Sequence, residues 1–544
     1  MSIHLSDSRS GALPIVPRRV AGLTIPLFTL RTRRSWGIGE IGDLGDLAEW
    51  VRDAGIRLVQ TLPLGEIAWD ETSPYSALSA FGIDPMYISV ADVPDAGPDV
   101  EPLLGTDGAR LLAKAQASPA VDYQTVRPLK RKALRACFER FRQREMARSS
   151  PRAQLFQAFR RHSGDWLDDY ALFRALREAH GDAGWARWPE PLRRAEPRAL
   201  AHAAELYRDE ILFHAYLQWL AHTQWYDARA RLGALGVELM GDLPFVVAWD
   251  SCDVWAHQAE FLEGFSVGAP PDAFDPEGQD WDLPPYRWER MRANDFAWLR
   301  RRARYAATLF DRFRVDHVVG LYRTYVRPRK ALDAGGRRLP GVFDPATPAE
   351  QLAHGERVMR AMQEAAAEGG TSLIAEDLGV IPHFVRESMS RLGVPGYKVL
   401  IWERYHNVFS NPMTFPALSV ACFGTHDTEP VAVWWEGLGR DEREAVRAIP
   451  LLAPLAKDLG PELTPVVHAA LVDLLHAAGS DLVLFLIQDL LGVRDRINVP
   501  STIGPHNWTY RLPAPVEDLR RDGRVNEILA MFRRGAEKAG RLGD

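Results

Sequence analysis

The residues of this chain best suited to chemistry are acids that close short apolar runs. They are Asp242 in VELMGDLPF, Asp316 in RFRVDHVVGL, Glu376 and Asp377 in TSLIAEDLG, Glu403 in YKVLIWE and Asp427 in SVACFGTHD. If FRVD is an extended strand, alternation puts Arg314 and Asp316 on one face and Phe313 and Val315 on the other. In LIAED the same period groups Ile374 with Glu376. A guanidinium beside Asp316 favours its charged form, whereas Glu376, crowded by other acids, keeps its proton longer. One protonated and one charged carboxyl flanking a bond is the requirement for cleaving a glycosidic linkage, where the leaving oxygen takes a proton as an oxocarbenium-like carbon forms. Retention of configuration calls for carboxyls roughly 5–5.5 Å apart and inversion for about 6.5–9.5 Å. A lone acid at a strand end is commonly a helix N-cap or a surface charge. Several of them, each beside an Arg or His, favour a shared site.

Acids this far apart in sequence meet only if the run ends converge. Eight apolar runs bounded by turn residues recur, at 22–30, 56–65, 237–245, 312–321, 371–379, 397–403, 419–427 and 481–492, and most are separated by helical periodicity such as PAEQLAHGERVMRAMQEAAAEGG. Near-continuous β-rich runs alternating with helices describe a parallel sheet buried on both faces. Eight such units predict an α/β fold, a (β/α)8 TIM barrel, with the acids at its catalytic C-terminal face. The spacing also predicts helical and loop insertions on that face. Residues 1–65 begin the barrel, 66–236 form an inserted, mainly helical subdomain, and 237–544 complete the barrel, including a Pro, Asp, Trp and Gly-rich substrate loop at 246–288. The Arg/Gly-rich tail RRGAEKAGRLGD reads as a fraying helix end.

Composition narrows the partners. A net charge of −6 over 544 residues offers no basic field for nucleic acid and suits an uncharged substrate. Cys137, Cys252 and Cys422 are too scattered for a zinc site or a disulfide framework. The N-terminus lacks a signal-like apolar core, and DLVLFLIQDLL is too short to span a bilayer, so no membrane association and a cytoplasmic location are expected.

The motifs TSPYSALSAFGIDPMYI (72–88), GDLPFVVAWDSCDVWAH (241–257), GAPPDAFDPEGQDW (268–281), FRVDHVVGLYR (313–323), AEDLGVI (375–381), GTHD (424–427) and RINVPSTIG (496–504) together resemble the amylomaltases. These are 4-α-glucanotransferases (disproportionating enzymes), glycoside-hydrolase-type barrels related to the α-amylases. The resemblance runs from SWGIGEIGDL near residue 35 to NWTYRL at 507–512. It implies that Asp316 is the nucleophile, Glu376 the general acid/base and Asp427 a third carboxylate gripping sugar hydroxyls. It also implies sugar contacts from Arg314, His317 and His426, and substrate-binding positions at Ser73, Tyr75, Asp242, Asp272, Gln279 and Trp281. An aromatic such as Tyr75 can stack on the apolar face of glucose. The expected activity is retaining transfer of α-1,4-glucan segments between maltooligosaccharides, or glucans derived from starch or glycogen, with no metal or organic cofactor. The alternatives are an α-glucan hydrolase, a transferase with an atypical acceptor, or an inactive glucan-binding barrel. Val318, Val319, Gly320, Leu321, Ala273, Leu283, Thr428, Glu429 and Pro430 depart from the usual pattern and bear on substrate length and on the balance of transfer over hydrolysis.

Overall fold

The computed structural model describes residues 19–99, 101–271, 276–500, 502 and 504–542. Each of the eight apolar runs contains or overlaps a barrel strand: β1 (Val20–Thr24), β2 (Leu58–Gln60), β3 (Glu238–Leu243), β4 (Arg312–Val315), β5 (Ser372–Ala375), β6 (Gly396–Val399), β7 (Ser419–Cys422) and β8 (Leu482–Leu486). They form one parallel sheet in the order β6-β7-β8-β1-β2-β3-β4-β5. β1 and β8 are buried at every position, as strands covered on both faces must be. A hydrogen bond from the Ala375 amide to the Pro395 carbonyl, at 2.9 Å, joins the two ends of that order and closes the barrel.

Local sequence sets the enclosing helices. Helix Pro348–Ala367 starts with Pro at its first turn and a capping box, in which the Glu350 amide donates to the Thr347 hydroxyl at 3.4 Å and the Thr347 amide donates to the Glu350 carboxylate at 3.1 Å. It packs on helix Ala297–Leu309 outside β4 and β5. Gly241 in β3 is required by close approach, since a Cβ there would lie 2.3 Å from the Phe310 ring.

Between β2 and β3 the chain is mainly helical, including Tyr123–Arg144, Gly164–Ala179 and Arg208–Ala234. The last runs directly into β3 and rests on the barrel wall, its Trp225 indole donating to the Leu309 carbonyl at 2.8 Å. The described part of the 246–288 loop carries regular structure. Its strands Phe265–Ala269 and Gln279–Leu283 pair antiparallel, and Thr324–Pro328 and Val342–Asp344 extend them to a four-stranded sheet. The sequence concealed this sheet because its edge strand, QDWDL, is polar at alternate positions and partner strands come from beyond β4.

The tail corrects the expectation of a frayed end. Helix Gly523–Lys538 is followed by Arg541, which is fully buried and donates to the carbonyls of His476, Ala478, Ser480 and Asp481 at 2.7–3.0 Å. A guanidinium satisfying four backbone carbonyls pins the C-terminal segment beneath β8. Among the described residues, no helix is long and apolar enough to cross a membrane.

Candidate active site

Strand register places the site. Asp242 on β3 pairs with Arg314 on β4, and Val315 pairs with Ala375, so Asp316 and Glu376 leave adjacent strand ends side by side. Backbone bonds continue past the strands: the Asp316 amide donates to Leu243 at 3.0 Å and the Glu376 amide to Val315 at 2.9 Å.

Arg314 is the hub. One terminal nitrogen donates to both Asp242 oxygens at 2.8 and 2.7 Å, and the other lies 2.6 Å from Oδ1 of Asp316 and 3.8 Å from Oε2 of Glu376. Sharing one nitrogen bounds the separation of those two oxygens at 2.6 plus 3.8 Å. That limit accommodates the roughly 5–5.5 Å of a retaining pair. The two acids differ in surroundings. The Asp316 side chain is 28% exposed and open to the cleft, whereas Glu376 is buried. Burial pushes the Glu376 carboxyl up to about 7; Arg314 opposes this and the neighbouring Asp316 charge adds to it. Its orientation is fixed by backbone donors, His317 N–H to Oε2 at 2.8 Å and Leu378 N–H to Oε1 at 2.6 Å. His317 adopts a left-handed φ of 44°, which costs a non-glycine residue about 1 kcal/mol and aims its amide at Glu376.

A second layer surrounds Arg314. The Tyr75 hydroxyl donates to Asp242 at 2.7 Å and sits 3.0 Å from Nε2 of His426, so His426 is the donor in that contact. The Tyr75 and His426 rings stack at 5.3 Å, and Trp508 packs on both at 6.0 and 5.9 Å. Burial raises the Tyr75 phenol well above its ordinary value, with the Asp242 charge adding to this, and burial also raises the Asp242 carboxyl, which Arg314 opposes. Burial also lowers the His317 imidazole. Asp427 faces the cleft, with His426 Nε2 at 3.3 Å and the Asn498 amide donating to it at 2.6 Å.

The sequence-derived site residues therefore fall into groups. Asp316, Glu376, Asp427, Arg314, His426, Tyr75 and Asp242 share one contact network, but the Asp242 side chain is fully buried and reaches the cleft through Arg314 and Tyr75. His317 meets the Trp281 ring edge-on at 4.9 Å, and Gln279 accepts from the Trp281 indole at 2.8 Å, which puts this pair at one wall. The Ser73 hydroxyl accepts from the Tyr75 amide at 3.4 Å and shapes the turn that presents Tyr75. Asp272, like Ala273, lies outside the described residues. Residue-level reasoning missed Trp508, Asn498 and Arg496, whose Nη2 donates to the Asp427 carbonyl at 2.8 Å. All three sit in the motif blocks RINVPSTIG and NWTYRL, which were visible, but their partners were not. Of the departures, Glu429 meets Arg496 at 3.5 Å and the Thr428 hydroxyl accepts from the Thr425 amide at 3.0 Å, so they support Asp427 from behind. Glu178, Glu210 and His214 gather in the helical segment at metal-ligand spacing, but Arg131 and Arg135 already pair with the two carboxylates.

A (β/α)8 barrel that sets a buried acid and a cleft-facing acid on neighbouring strand ends has the form of a glycoside-hydrolase-type enzyme. Comparison with known proteins narrows this class. The 4-alpha-glucanotransferase family profile matches residues 25–517. A 4-alpha-glucanotransferase of Chlamydia pneumoniae is 31% identical over 530 residues, covering 93% of this chain and 95% of the relative. One of Thermus thermophilus is 33% identical over 494 residues, covering 88% and 92%. In fold, the chain is similar to the amylomaltase from Streptococcus agalactiae in complex with acarbose, with a TM-score of 0.80 at 24% identity, covering 96% of this chain and all of that one. The chain belongs to the 4-alpha-glucanotransferase family.

Proposed function

We propose that this member of the family moves α-1,4-glucan segments between maltooligosaccharides, or chains released from starch or glycogen, by a retaining double displacement at Asp316 and Glu376. Glu376 gives its proton to the glycosidic oxygen as the C1–O4 bond breaks, and an Asp316 oxygen forms the glycosyl ester at C1. The shortened glucan leaves. An acceptor 4-hydroxyl then attacks C1, returns its proton to Glu376 and frees Asp316. The observation that carries this reading is the single Arg314 nitrogen within 2.6 Å of Asp316 and 3.8 Å of Glu376, with Glu376 raised to about 7 by burial. A carboxyl poised there serves as acid in the first half and base in the second.

Asp427, with His426, grips sugar hydroxyls beside the reacting carbon, and Tyr75 and Trp508 line the adjoining wall. For transfer to beat hydrolysis, water must be kept from the ester. The Trp281 strand and the 66–236 segment that supplies Tyr75 are the covers we assign to that task. Cys137, Cys252 and Cys422 are buried and unpaired, which supports residence in the cytoplasm. Incubation with maltotriose tests the reading. Glucose together with a ladder of longer maltodextrins is expected, whereas shortened products alone would favour the hydrolase.

A further inference from the structure

The acid next to Glu376 takes no part in that reaction. Asp377 is nearly buried, at 5% exposure, and faces away from the cleft toward β6. Seven neighbouring strand pairs of the barrel share backbone ladders, but among the described residues β5 and β6 do not. After the single Ala375-to-Pro395 bond, the next link across this seam is made by a side chain: the Tyr397 amide donates to Oδ1 of Asp377 at 2.7 Å. Oδ2 accepts from Nε of Arg386 at 2.9 Å, and Nη2 of Arg386 donates to the Asp377 carbonyl at 3.1 Å. Gly396 makes room for the carboxylate, since a Cβ there would lie 2.7 Å from Oδ1. On the opposite side, the Glu376 backbone is tied toward β4, its amide donating to Val315 at 2.9 Å and its carbonyl accepting from the Val318 amide at 3.1 Å.

We propose that Asp377 is a positioning residue for Glu376: its carboxylate, clamped by Arg386 and seated over Gly396, replaces the missing β5–β6 ladder and fixes the strand end from which the acid/base projects. This rests on the reading of Glu376 as acid/base. With the clamp gone, the backbone bond from Ala375 to Pro395 is the tie to β6 that remains among the described residues, and the Glu376 proton no longer lines up with the leaving oxygen. Misplacement of a reacting group by about 1 Å costs roughly a hundredfold in rate. Asp316 hangs from β4 and keeps its place, so nucleophilic attack is spared.

Two donors separate positioning from general structural support. Maltotriose needs a proton on its leaving oxygen, while α-maltosyl fluoride leaves without one. In Asp377→Ala, first-turnover glucose release from maltotriose should fall roughly thirty- to hundredfold with the concentration dependence unchanged. First-turnover fluoride release should stay within about threefold of the parent. Arg386→Ala removes the clamp from the exposed side and should give a smaller loss of the same selectivity, which serves if Asp377→Ala folds poorly. Gly396→Ala should mimic the loss in the parent and add little to Asp377→Ala. Equal losses on both donors in Asp377→Ala or Arg386→Ala, alongside selective loss in Glu376→Ala, would overturn the positioning role and leave the acid/base reading standing. Equal losses in Glu376→Ala would overturn both.

Discussion

Replacing Glu376 with Gln keeps the shape of the side chain and one of its two backbone contacts, since an amide has a single acceptor oxygen, but removes the transferable proton. Positioned acids and bases contribute about 10²–10⁴ in rate, so glucose release from maltotriose should fall by that factor with little change in KM. On α-maltosyl fluoride the variant should give one rapid equivalent of fluoride and then stall, because the ester forms without an acid but is resolved only with a base. The pH dependence follows from the burial of the group. In the parent, kcat/KM on maltotriose should fall about tenfold per unit as pH rises through about 7, where Glu376 loses its proton. First-turnover fluoride release should lack that limb. Stability carries a second signature. A carboxyl raised from 4.5 to about 7 binds its proton more tightly in the folded state, so its contribution is full below pH 4.5 and lost as pH rises through about 7. At about 1.36 kcal/mol per unit the loss is on the order of 3 kcal/mol, with the attraction to Arg314 already contained in that shift. Glu376→Gln removes the loss, so its Tm relative to the parent should be higher at pH 8 than at pH 5. A variant equally slow in the first turnover of both donors, or one whose relative Tm drops toward pH 8, would refute the assignment.

Asp316→Asn should lower turnover of both donors by about a thousandfold or more while the chain still folds and binds maltooligosaccharide, which activity and calorimetric titration check together. Tyr75→Phe strips a hydroxyl that bridges Asp242 and His426 and should cost about 1–3 kcal/mol of stability in denaturant titration. Asn498→Ala removes the 2.6 Å bond to Asp427 and should weaken kcat/KM for maltotriose roughly tenfold with Tm little changed. Arg541→Ala leaves four carbonyls beneath β8 without their donor and should lower stability by about 2–4 kcal/mol with specific activity unaltered, seen by thermal unfolding and maltotriose assay.

The eight strands were legible because each is an apolar run between turn residues, a local property that the barrel leaves intact. Alternation within FRVD and LIAED, also local, aimed Arg314, Asp316 and Glu376 inward, and the motif blocks carried the family. What sequence could not supply was distance between segments. That Arg314 binds Asp242 as well as Asp316, that Trp508 closes on Tyr75 and His426, and that Asn498 holds Asp427 depends on β3, β4, β7 and the loop after β8 meeting around one axis. Burial is likewise a tertiary quantity. Glu376 and Asp316 are both strand-end acids in the sequence, and only the packing above β5 dries one of them while leaving the other open to the cleft. Period and composition determine which residues face inward; the closed barrel decides which of them touch, and so which acid holds a proton.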